Sequence, residues 1–380
     1  MVHLKALPEK LRGTLERTVK ELAAKETVYG IGLFGSWSRG DATASSDIDL
    51  FVLDNADFEY EYVERIDRNG FSIDFDHVPR KWIHGPIPPE IDQKLFEMQI
   101  LYDRDWALTN TKLLMTKTFG SSERVEIRTE AHIVDSDIYL SRATSALSRQ
   151  DYKSSHIFAA SALESTLKLL IEITLQPFSN SRFMETAQNS TEKLGIHGPL
   201  EEYLEMTGFK KINQETAKRN LKLFKAIWED IKSISRNNPQ KLDTLHFKVK
   251  TRLNYYLNQP FLHATMNRAT SMIETGNTLE AAHYLNSLLL DIIENYSWLE
   301  SQTRNFRIDY STLFRTLENF KGPAIYTNAV TFFEVGASSS AGSTKDVAAA
   351  RAEIMKVRRG RRLLIKNNLG GQRGGSSPRA

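Results

Sequence analysis

A glycine-serine pair followed by two aspartates forms the stretch of this sequence whose residue types could do chemistry. The stretch reads LFGSWSRGDATASSDIDLFVL, and ten residues separate Ser36 from Asp47. Gly35 lets the backbone approach a phosphate group and adopt a positive φ where the turn requires it. Ser36 and the amides after it can donate hydrogen bonds to phosphate oxygens. The pair therefore predicts a phosphate-binding turn.

Asp47 and Asp49 are two residues apart, so on a β-strand both side chains project from one face while Ile48 and Leu50 point into the core. Two close carboxylates repel each other in a low-dielectric cleft, and a divalent cation is the usual compensation. Oxygen ligands of this kind suit Mg²⁺ or Mn²⁺. With a third carboxylate, the site could hold two cations about 3.5 to 4 Å apart, as in-line nucleotidyl transfer requires.

The segment FSIDFDHVP offers two candidates for the third carboxylate. Its apolar residues alternate with polar ones, so a period of two places Asp74 and Asp76 on the same face of a strand. This pattern does not separate the two aspartates.

Gly-Ser, a gap and Asp-apolar-Asp together resemble the motif of the polymerase-β nucleotidyltransferase superfamily. Arg39-Gly40 and Ser46 resemble the longer form of that motif, and the resemblance covers roughly residues 25 to 106. It implies a mixed-sheet α/β catalytic domain that uses Mg²⁺ or Mn²⁺ and a nucleoside triphosphate, with ATP as the expected donor.

The same resemblance implies roles for individual residues. Asp47 and Asp49 would bind the metal, and Asp74 would complete the metal site and accept the proton of the acceptor hydroxyl, with Asp76 as its rival. Gly35 and Ser36 would bind the triphosphate. Arg39 would either bind the triphosphate as well or only solvate its loop.

The elements that must position these residues begin with a helix and a strand. Apolar spacing predicts a helix over residues 8 to 25, and a buried strand in TVYGIGLFG. A strand in DIDLFVL, a helix over residues 58 to 68, and a strand in FSIDFDHVP follow. A helix in IPPEIDQKLFEMQ and a short strand in ILYD complete an α/β catalytic domain over residues 1 to 118.

The pattern of residues 119 to 336 predicts an all-helical domain, because apolar residues recur at helical spacing and no convincing strand occurs from about 123 to 320. We expect this domain to select the acceptor. Its opening segment resembles the first helices of HEPN-type domains and the helical domains of aminoglycoside nucleotidyltransferases. Arg149 and His156 have an Arg-x₆-His spacing. In HEPN ribonucleases that motif lies near the end of the domain, so we expect both residues to serve packing here.

Charge and composition separate the last residues from the rest. The net charge is +3, and residues 337 to 380 contain ten Lys and Arg against two acids, so the tail carries +8 and residues 1 to 336 carry −5. We expect a basic, disordered tail that could contact RNA phosphates.

The chain has no cysteine, which excludes thiolate sites, and no apolar run predicts a signal peptide or membrane span. A cytoplasmic protein is expected.

The expected function is metal-dependent transfer of a nucleotidyl group, with AMP from ATP as the expected case, to a hydroxyl acceptor with release of pyrophosphate. The acceptor is left open among a small molecule, a protein side chain and an RNA 3′ end. Two alternatives remain. One is a non-catalytic, antitoxin-like regulatory partner that binds nucleotide. The other is an RNA-binding or RNase-type helical module with an accessory nucleotidyltransferase-like domain.

Overall fold

The computed structural model describes residues 7–43, 46–305, 307–320 and 324–370. The chain forms two compact units. The first contains Met1–Phe119 and His246–Ser271, and the second contains Gly120–Leu245 and Met272–Ala380. The first unit thus includes His246–Ser271, a segment that the apolar pattern assigned to the helical domain of residues 119 to 336. None of the described helices has both the length and the apolar composition needed to cross a bilayer.

A five-stranded mixed sheet with strand order β3-β4-β2-β1-β5 organises the first unit. Strand β1 is antiparallel to β2 and β5, β2 is parallel to β4, and β3 is antiparallel to β4. The strands are β1 (Val28–Phe34), β2 (Ile48–Asp54), β3 (Tyr62–Arg68), β4 (Phe71–Pro79) and β5 (Gln99–Asp103). The mixed-sheet α/β core expected from the sequence is confirmed.

Among the described residues before 120, four α-helices accompany the sheet: α1 (Glu9–Ala23), α2 (Gly35–Arg39), α3 (Asp92–Glu97) and α4 (Ala107–Thr118). Helix α1 buries Leu11, Leu15 and Leu22 in the same apolar cluster as side chains of β1, β2 and β4. Each buried leucine of this kind contributes roughly 1.5–3 kcal/mol relative to an exposed one. Burial of one face of the sheet leaves the polar residues of β2 and β4 on the other.

The helix predicted over residues 58 to 68 is wrong, because β3 occupies most of that segment. Asn69 and Gly70 join β3 to β4, and both have positive φ, 54° and 81°. An Asn-Gly pair is the preferred two-residue hairpin turn, since its twist matches that of the flanking strands. This turn signal outweighs the helix-like spacing of the acidic residues before it.

The remaining described elements are helices and short 3₁₀ turns, so the all-helical region is confirmed for the described residues after Phe119. The helices are α5 (Ser122–Ser148), α6 (Tyr152–Thr174), α7 (Phe183–Leu194), α8 (Gly198–Met206), α9 (Gln214–Asn237), α10 (Pro239–Asp243), α11 (Phe247–Tyr256), α12 (Gln259–Glu274), α13 (Thr278–Arg304), α14 (Leu313–Asn319), α15 (Ile325–Phe332) and α16 (Ser340–Gly370). Helix α11 and most of α12 belong to the first unit.

The tail expected to be disordered is instead helical over Ser340–Gly370, which forms α16 and packs on α5 and α6. An apolar stripe of α16 that includes Val347, Ile354 and Val357 is buried. On its basic face, Arg358 lies 2.8 Å from a carboxylate oxygen of Asp137 on α5. The stripe and the acidic partners explain why this basic segment folds. Residues 371–380 of the predicted tail lie outside the described residues.

Candidate active site

Three of the predicted carboxylates converge at one edge of strands β2 and β4. Asp49 lies on β2 directly beside Asp74 of β4 in the parallel register, and Asp47 immediately precedes β2. Carboxylate oxygens of the three residues all lie within 4.8 Å of one another. We call Asp47, Asp49 and Asp74 the carboxylate cluster.

Asp76, the rival of Asp74, lies two residues further along β4 and has a different partner. Its Oδ2 is 2.5 Å from Nζ of Lys94, which also contacts Oε2 of Glu61 at 2.9 Å. Burial raises the pKa of Asp76, and the ammonium group of Lys94 partly opposes the rise. Asp76 is thus engaged in a separate ion pair, so the geometry favours Asp74 as the third member of a metal site.

Two arginines and a tyrosine that the sequence analysis missed contact the cluster. Arg65 of β3 donates from Nε and Nη2 to the two oxygens of Asp74, each at 2.5 Å, and from Nη2 to Asp47 Oδ2 at 2.5 Å. Arg268 of α12 donates to the other oxygen of Asp47. Tyr255 of α11 donates from its hydroxyl to Asp74 Oδ2 at 3.0 Å. The segment inserted from residues 246 to 271 therefore contributes to the site.

The electrostatic environment differs sharply among the three carboxylates. Burial opposes ionisation of Asp47, but the guanidinium groups of Arg268 and Arg65 lower its pKa below the ordinary value. Burial, followed by the negative charges of Asp47 and Asp74, raises the pKa of Asp49 well above its ordinary value. Burial also raises the pKa of Asp74, against the opposing effect of Arg65. Within the described residues, no donor hydrogen-bonds to the Asp49 carboxylate. The charges of Arg268 and Arg65 oppose the rise in the pKa of Asp49 without a hydrogen bond to it, so Asp49 is the least compensated member of the cluster.

This donor set fits a divalent cation. Carboxylate oxygens are the hard ligands that Mg²⁺ and Mn²⁺ prefer. A cation between Asp49 and its neighbours would remove the repulsion that raises the pKa of Asp49. Arg65 and Arg268 supply the positive charge that the cluster now has.

The phosphate-binding turn predicted at Gly35 and Ser36 begins α2. Gly35 has a φ of 72°, and a Cβ added there would clash with Asp49 Oδ2, so the turn requires glycine on both conformational and steric grounds. The Gly35 amide donates to Glu97 Oε1 at 2.9 Å, and Arg39 Nη1 donates to Glu97 Oε2 at 2.8 Å. Glu97 is a further missed residue, since it links two of the three predicted phosphate ligands.

Different signals could have revealed the missed residues. Arg65 pairs directly with Asp74 in the antiparallel register, so reading Asn69-Gly70 as a hairpin turn would have placed the two side by side. Arg268 lies 221 residues from Asp47 in the chain, and Tyr255 lies 181 residues from Asp74. No local pattern in the sequence connects residues at that separation.

Arg149 and His156, the residues with the Arg-x₆-His spacing, have separate partners in the helical unit. Arg149 pairs with Asp309. His156 lies between Asp346, 2.7 Å from Nδ1, and the carbonyl oxygen of Met206, 2.8 Å from Nε2. His156 thus joins two segments of the helical unit, whereas Arg149 forms an exposed ion pair, and the packing role expected for both residues stays a prediction.

Comparison with known proteins gives matches to the N-terminal part of the chain. A family model described as "Nucleotidyltransferase domain" matches residues 15–102. A protein of Methanocaldococcus jannaschii with the printed name "Putative protein adenylyltransferase" is 36% identical over 92 residues, which span 22% of this chain and 87% of that protein.

The crystal structure of a nucleotidyltransferase-like protein from Exiguobacterium sibiricum is also similar, with 14% identity over 72% of this chain and 77% of that one. Its TM-score of 0.32 is too low to support a conclusion. The match to the M. jannaschii protein covers most of that relative, and the matched family model spans β1 to β4 and most of β5, including the carboxylate cluster. The chain therefore belongs to the nucleotidyltransferases of the polymerase-β type and is a nucleotidyltransferase enzyme.

Proposed function

We propose that the protein transfers an adenylyl group from ATP to a hydroxyl group of a protein, in a metal-dependent reaction that releases pyrophosphate. The observation that carries this proposal is the convergence of Asp47, Asp49 and Asp74 within 4.8 Å, beside the turn at Gly35. The name of the M. jannaschii relative supports the choice of an adenylyl group and of a protein as acceptor.

In this proposal Asp47, Asp49 and Asp74 hold the divalent cation or cations. When bound, such a cation polarises phosphoryl oxygens and neutralises charge that develops on the attacking and leaving oxygens. Asp74 accepts the proton of the acceptor hydroxyl as its oxygen bonds to the α-phosphorus. The bond from the α-phosphorus to its bridging oxygen breaks, and pyrophosphate leaves with that electron pair.

Gly35, Ser36 and Arg39 bind the polyphosphate of the donor. The Gly35 amide and the Arg39 guanidinium contact the carboxylate of Glu97 at 2.9 and 2.8 Å, and this shared contact with an anionic group supports the proposal. Phosphate oxygens would replace the carboxylate oxygens of Glu97 at these two donors. The helical unit, which lies outside the matched residues 15–102, is our candidate for acceptor selection. RNA contact by the basic tail stays a prediction.

The test supplies each of the four nucleoside triphosphates, labelled at the α-phosphate, with Mg²⁺ or Mn²⁺ and a protein extract. We expect ATP to give label in protein and an equal amount of pyrophosphate. The Asp47→Ala, Asp49→Ala double variant should lose both signals. Asp67→Ala is the matched control, because Asp67 is an exposed carboxylate of β3 outside the cluster.

A second measurement tests the metal site without turnover. Addition of Mn²⁺ alone should raise the thermal unfolding temperature of the protein and of Asp67→Ala, but not that of the double variant. Label from ATP that persists in the double variant would disprove the proposed site. Turnover with label only in small molecules or RNA would disprove the proposed acceptor.

A further inference from the structure

The hydroxyl group of Tyr255 lies within hydrogen-bond distance of Asp74, the base of the proposed reaction. Its Oη donates a hydrogen bond to Asp74 Oδ2 at 3.0 Å. A general base must lie about 2.6–3.2 Å from the oxygen whose proton it accepts. Asp74 is the base in the proposed reaction, so the distance from Tyr255 Oη to Asp74 already meets this requirement.

Aromatic and cationic contacts hold the Tyr255 side chain in place. Its ring centroid lies 5.3 Å from the guanidinium carbon of Arg65 and 5.2 Å from the ring centroid of Phe261. Arg65 is itself fixed by its two hydrogen bonds to Asp74. A hydroxyl held by neighbours on several sides loses little freedom on reaction, which favours attack by an intramolecular group.

We propose that Tyr255 is a nucleotidyl acceptor, so that the enzyme adenylylates its own chain at this residue. The inference rests on the proposed function and names an acceptor for it. In the reaction, Tyr255 Oη bonds to the α-phosphorus of ATP and its proton passes to Asp74. The bond between the α-phosphorus and the bridging oxygen breaks, and pyrophosphate leaves. The product is a phosphodiester that links Tyr255 to AMP.

The charges around Tyr255 suit a polyphosphate. The guanidinium groups of Arg65 and Arg268 contact the carboxylate cluster, and that of Arg65 also lies over the Tyr255 ring. Guanidinium groups bind phosphate oxygens through paired hydrogen bonds. Binding of an anionic donor would thus bring both reactants to residues that already contact the cluster.

The product limits the reaction to a single event. Adenylylation removes the hydroxyl proton that Tyr255 now donates to Asp74 and adds a bulky anionic group next to the cluster. A modified chain therefore retains no hydroxyl on Tyr255 for a second transfer. We expect incorporation to saturate at one nucleotidyl group per chain at this residue.

The experiment incubates the full-length protein with α-labelled ATP and Mg²⁺ in the absence of other acceptors. Intact mass spectrometry should give one added adenylyl group, and peptide sequencing should locate it on Tyr255. The label on that peptide should fall to background in Tyr255→Phe and in the Asp47→Ala, Asp49→Ala variant. Tyr256→Phe is the matched control and should keep the label, because it alters the adjacent tyrosine of the same helix.

A mixing experiment tests whether the transfer occurs within one chain. An affinity-tagged Asp47→Ala, Asp49→Ala chain is incubated with the untagged active protein, and the tagged chain should stay unlabelled. Label on the tagged chain would overturn transfer within one chain. Thermal unfolding of Tyr255→Phe checks that the variant is folded, and mapping of the label in the unaltered protein does not depend on any variant.

Failure of this inference differs from failure of the proposed function. Pyrophosphate release with label in other proteins but none on Tyr255 would overturn the inference and leave the proposed function in place. Label on another residue of the chain would also overturn it. Absence of both pyrophosphate release and label, with every acceptor tried, would overturn both.

Discussion

The carboxylate cluster of the first unit differs from an ionic cluster of the helical unit in how negative charge is compensated. The ionic cluster consists of Glu164, Lys168 and His283. In the helical unit, Glu164 of α6 contacts Lys168 Nζ at 2.8 Å and accepts a hydrogen bond from Ser287 at 3.2 Å. Although burial opposes ionisation, Lys168 and then His283 lower the pKa of Glu164 to about 2. In the first unit, burial and two neighbouring carboxylates raise the pKa of Asp49.

The difference distinguishes a structural ion cluster from the proposed metal site. The charge of Glu164 is balanced within its own helix, because Lys168 lies one turn away and forms an ion pair with it. Asp49 has two like charges beside it, and the guanidinium groups in the site contact its neighbours Asp47 and Asp74 instead. A carboxylate whose pKa is raised by burial and by neighbouring like charges is a candidate for a site that a ligand completes.

The largest expected effect is the loss of activity on substitution of Asp49, the least compensated carboxylate of the cluster. Asp49→Asn should lower nucleotidyl transfer at least about 100-fold, since metal-ion catalysis contributes several kcal/mol. Without divalent cations, the same change should raise the free energy of unfolding by on the order of 1 kcal/mol, because it relieves repulsion. Urea unfolding and pyrophosphate release measure the two effects.

Asp47→Asn is the matched control for this prediction. Asp47 is paired with Arg65 and Arg268, so its neutralisation should lower both activity and stability. A loss of stability in Asp49→Asn as large as that in Asp47→Asn would contradict the distinction between the two carboxylates.

The pH dependence of stability should reveal the second cluster. Burial lowers the pKa of His283 to about 4, and its two ring nitrogens lack hydrogen-bond partners among the described residues. The unfolded state, with a pKa of about 6.5, therefore binds more protons than the folded state between pH 6.5 and 4. The His283 contribution to stability should therefore fall by about 2–3 kcal/mol as the pH falls from 7 to 4.5. The raised pKa of Asp49 acts in the opposite direction, so the contribution is measured as the difference between the protein and a His283→Phe variant.

His283→Phe should remove most of that fall, because phenylalanine has no proton to bind and His283 already stacks on Phe183 with ring centroids 4.2 Å apart. Glu164 does not mask the effect, since its stabilising contribution is lost only as the pH falls below about 4.5 towards 2. If the free energy of unfolding fell equally with pH in the protein and in His283→Phe, the fall could not be assigned to His283.

A smaller change in stability is expected at the turn beside Asp49, where substitution of Gly35 is compared with substitution of Gly360. Gly35→Ala should lower the free energy of unfolding by about 2 kcal/mol, since Gly35 has positive φ and a Cβ there would collide with Asp49. Activity should fall as well, because the collision displaces a cluster residue. Gly360→Ala in α16 should instead stabilise by roughly 0.5–1 kcal/mol, since open space surrounds that position within the described residues. Equal effects at both glycines would contradict this account.

The smallest effect is expected at the balanced carboxylate. Glu164→Gln should lower the free energy of unfolding by only about 1–2 kcal/mol, because the Lys168 side chain is 37% exposed and water can solvate its ammonium group. Chemical denaturation measures the change. A loss as large as that expected for a fully buried pair would indicate that Lys168 is shielded from solvent.

The sequence predicted those parts of the site that lie close together in the chain. Asp47, Asp49 and Asp74 could be found because period-two alternation and a spaced motif fix their faces, and the structure brings them together. Their roles stay predictions. The choice between Asp74 and Asp76 could not be made from alternation, because it depends on the neighbouring strands and on the position of Lys94.

Contributions from distant segments could not be predicted. Arg268 and Tyr255 lie in helices whose apolar spacing indicates only packing, and nothing local distinguishes α11 and α12 from the other helices. The order of α16 could have been anticipated from its apolar stripe, but the high basic charge favoured disorder. Its acidic partners on α5 are separated from it by about 220 residues.

The insertion of His246–Ser271 into the first unit has a consequence for synthesis on the ribosome. A nascent chain that has emerged only as far as Phe119 contains the complete sheet and all three carboxylates, but lacks Tyr255 and Arg268. Domains generally begin to fold from the N-terminus as they emerge. A sheet that forms early therefore carries less compensated charge until more than half of the polypeptide has been translated. If the proposed metal site is correct, a divalent cation available at that stage would act as a folding ligand as well as a catalytic one.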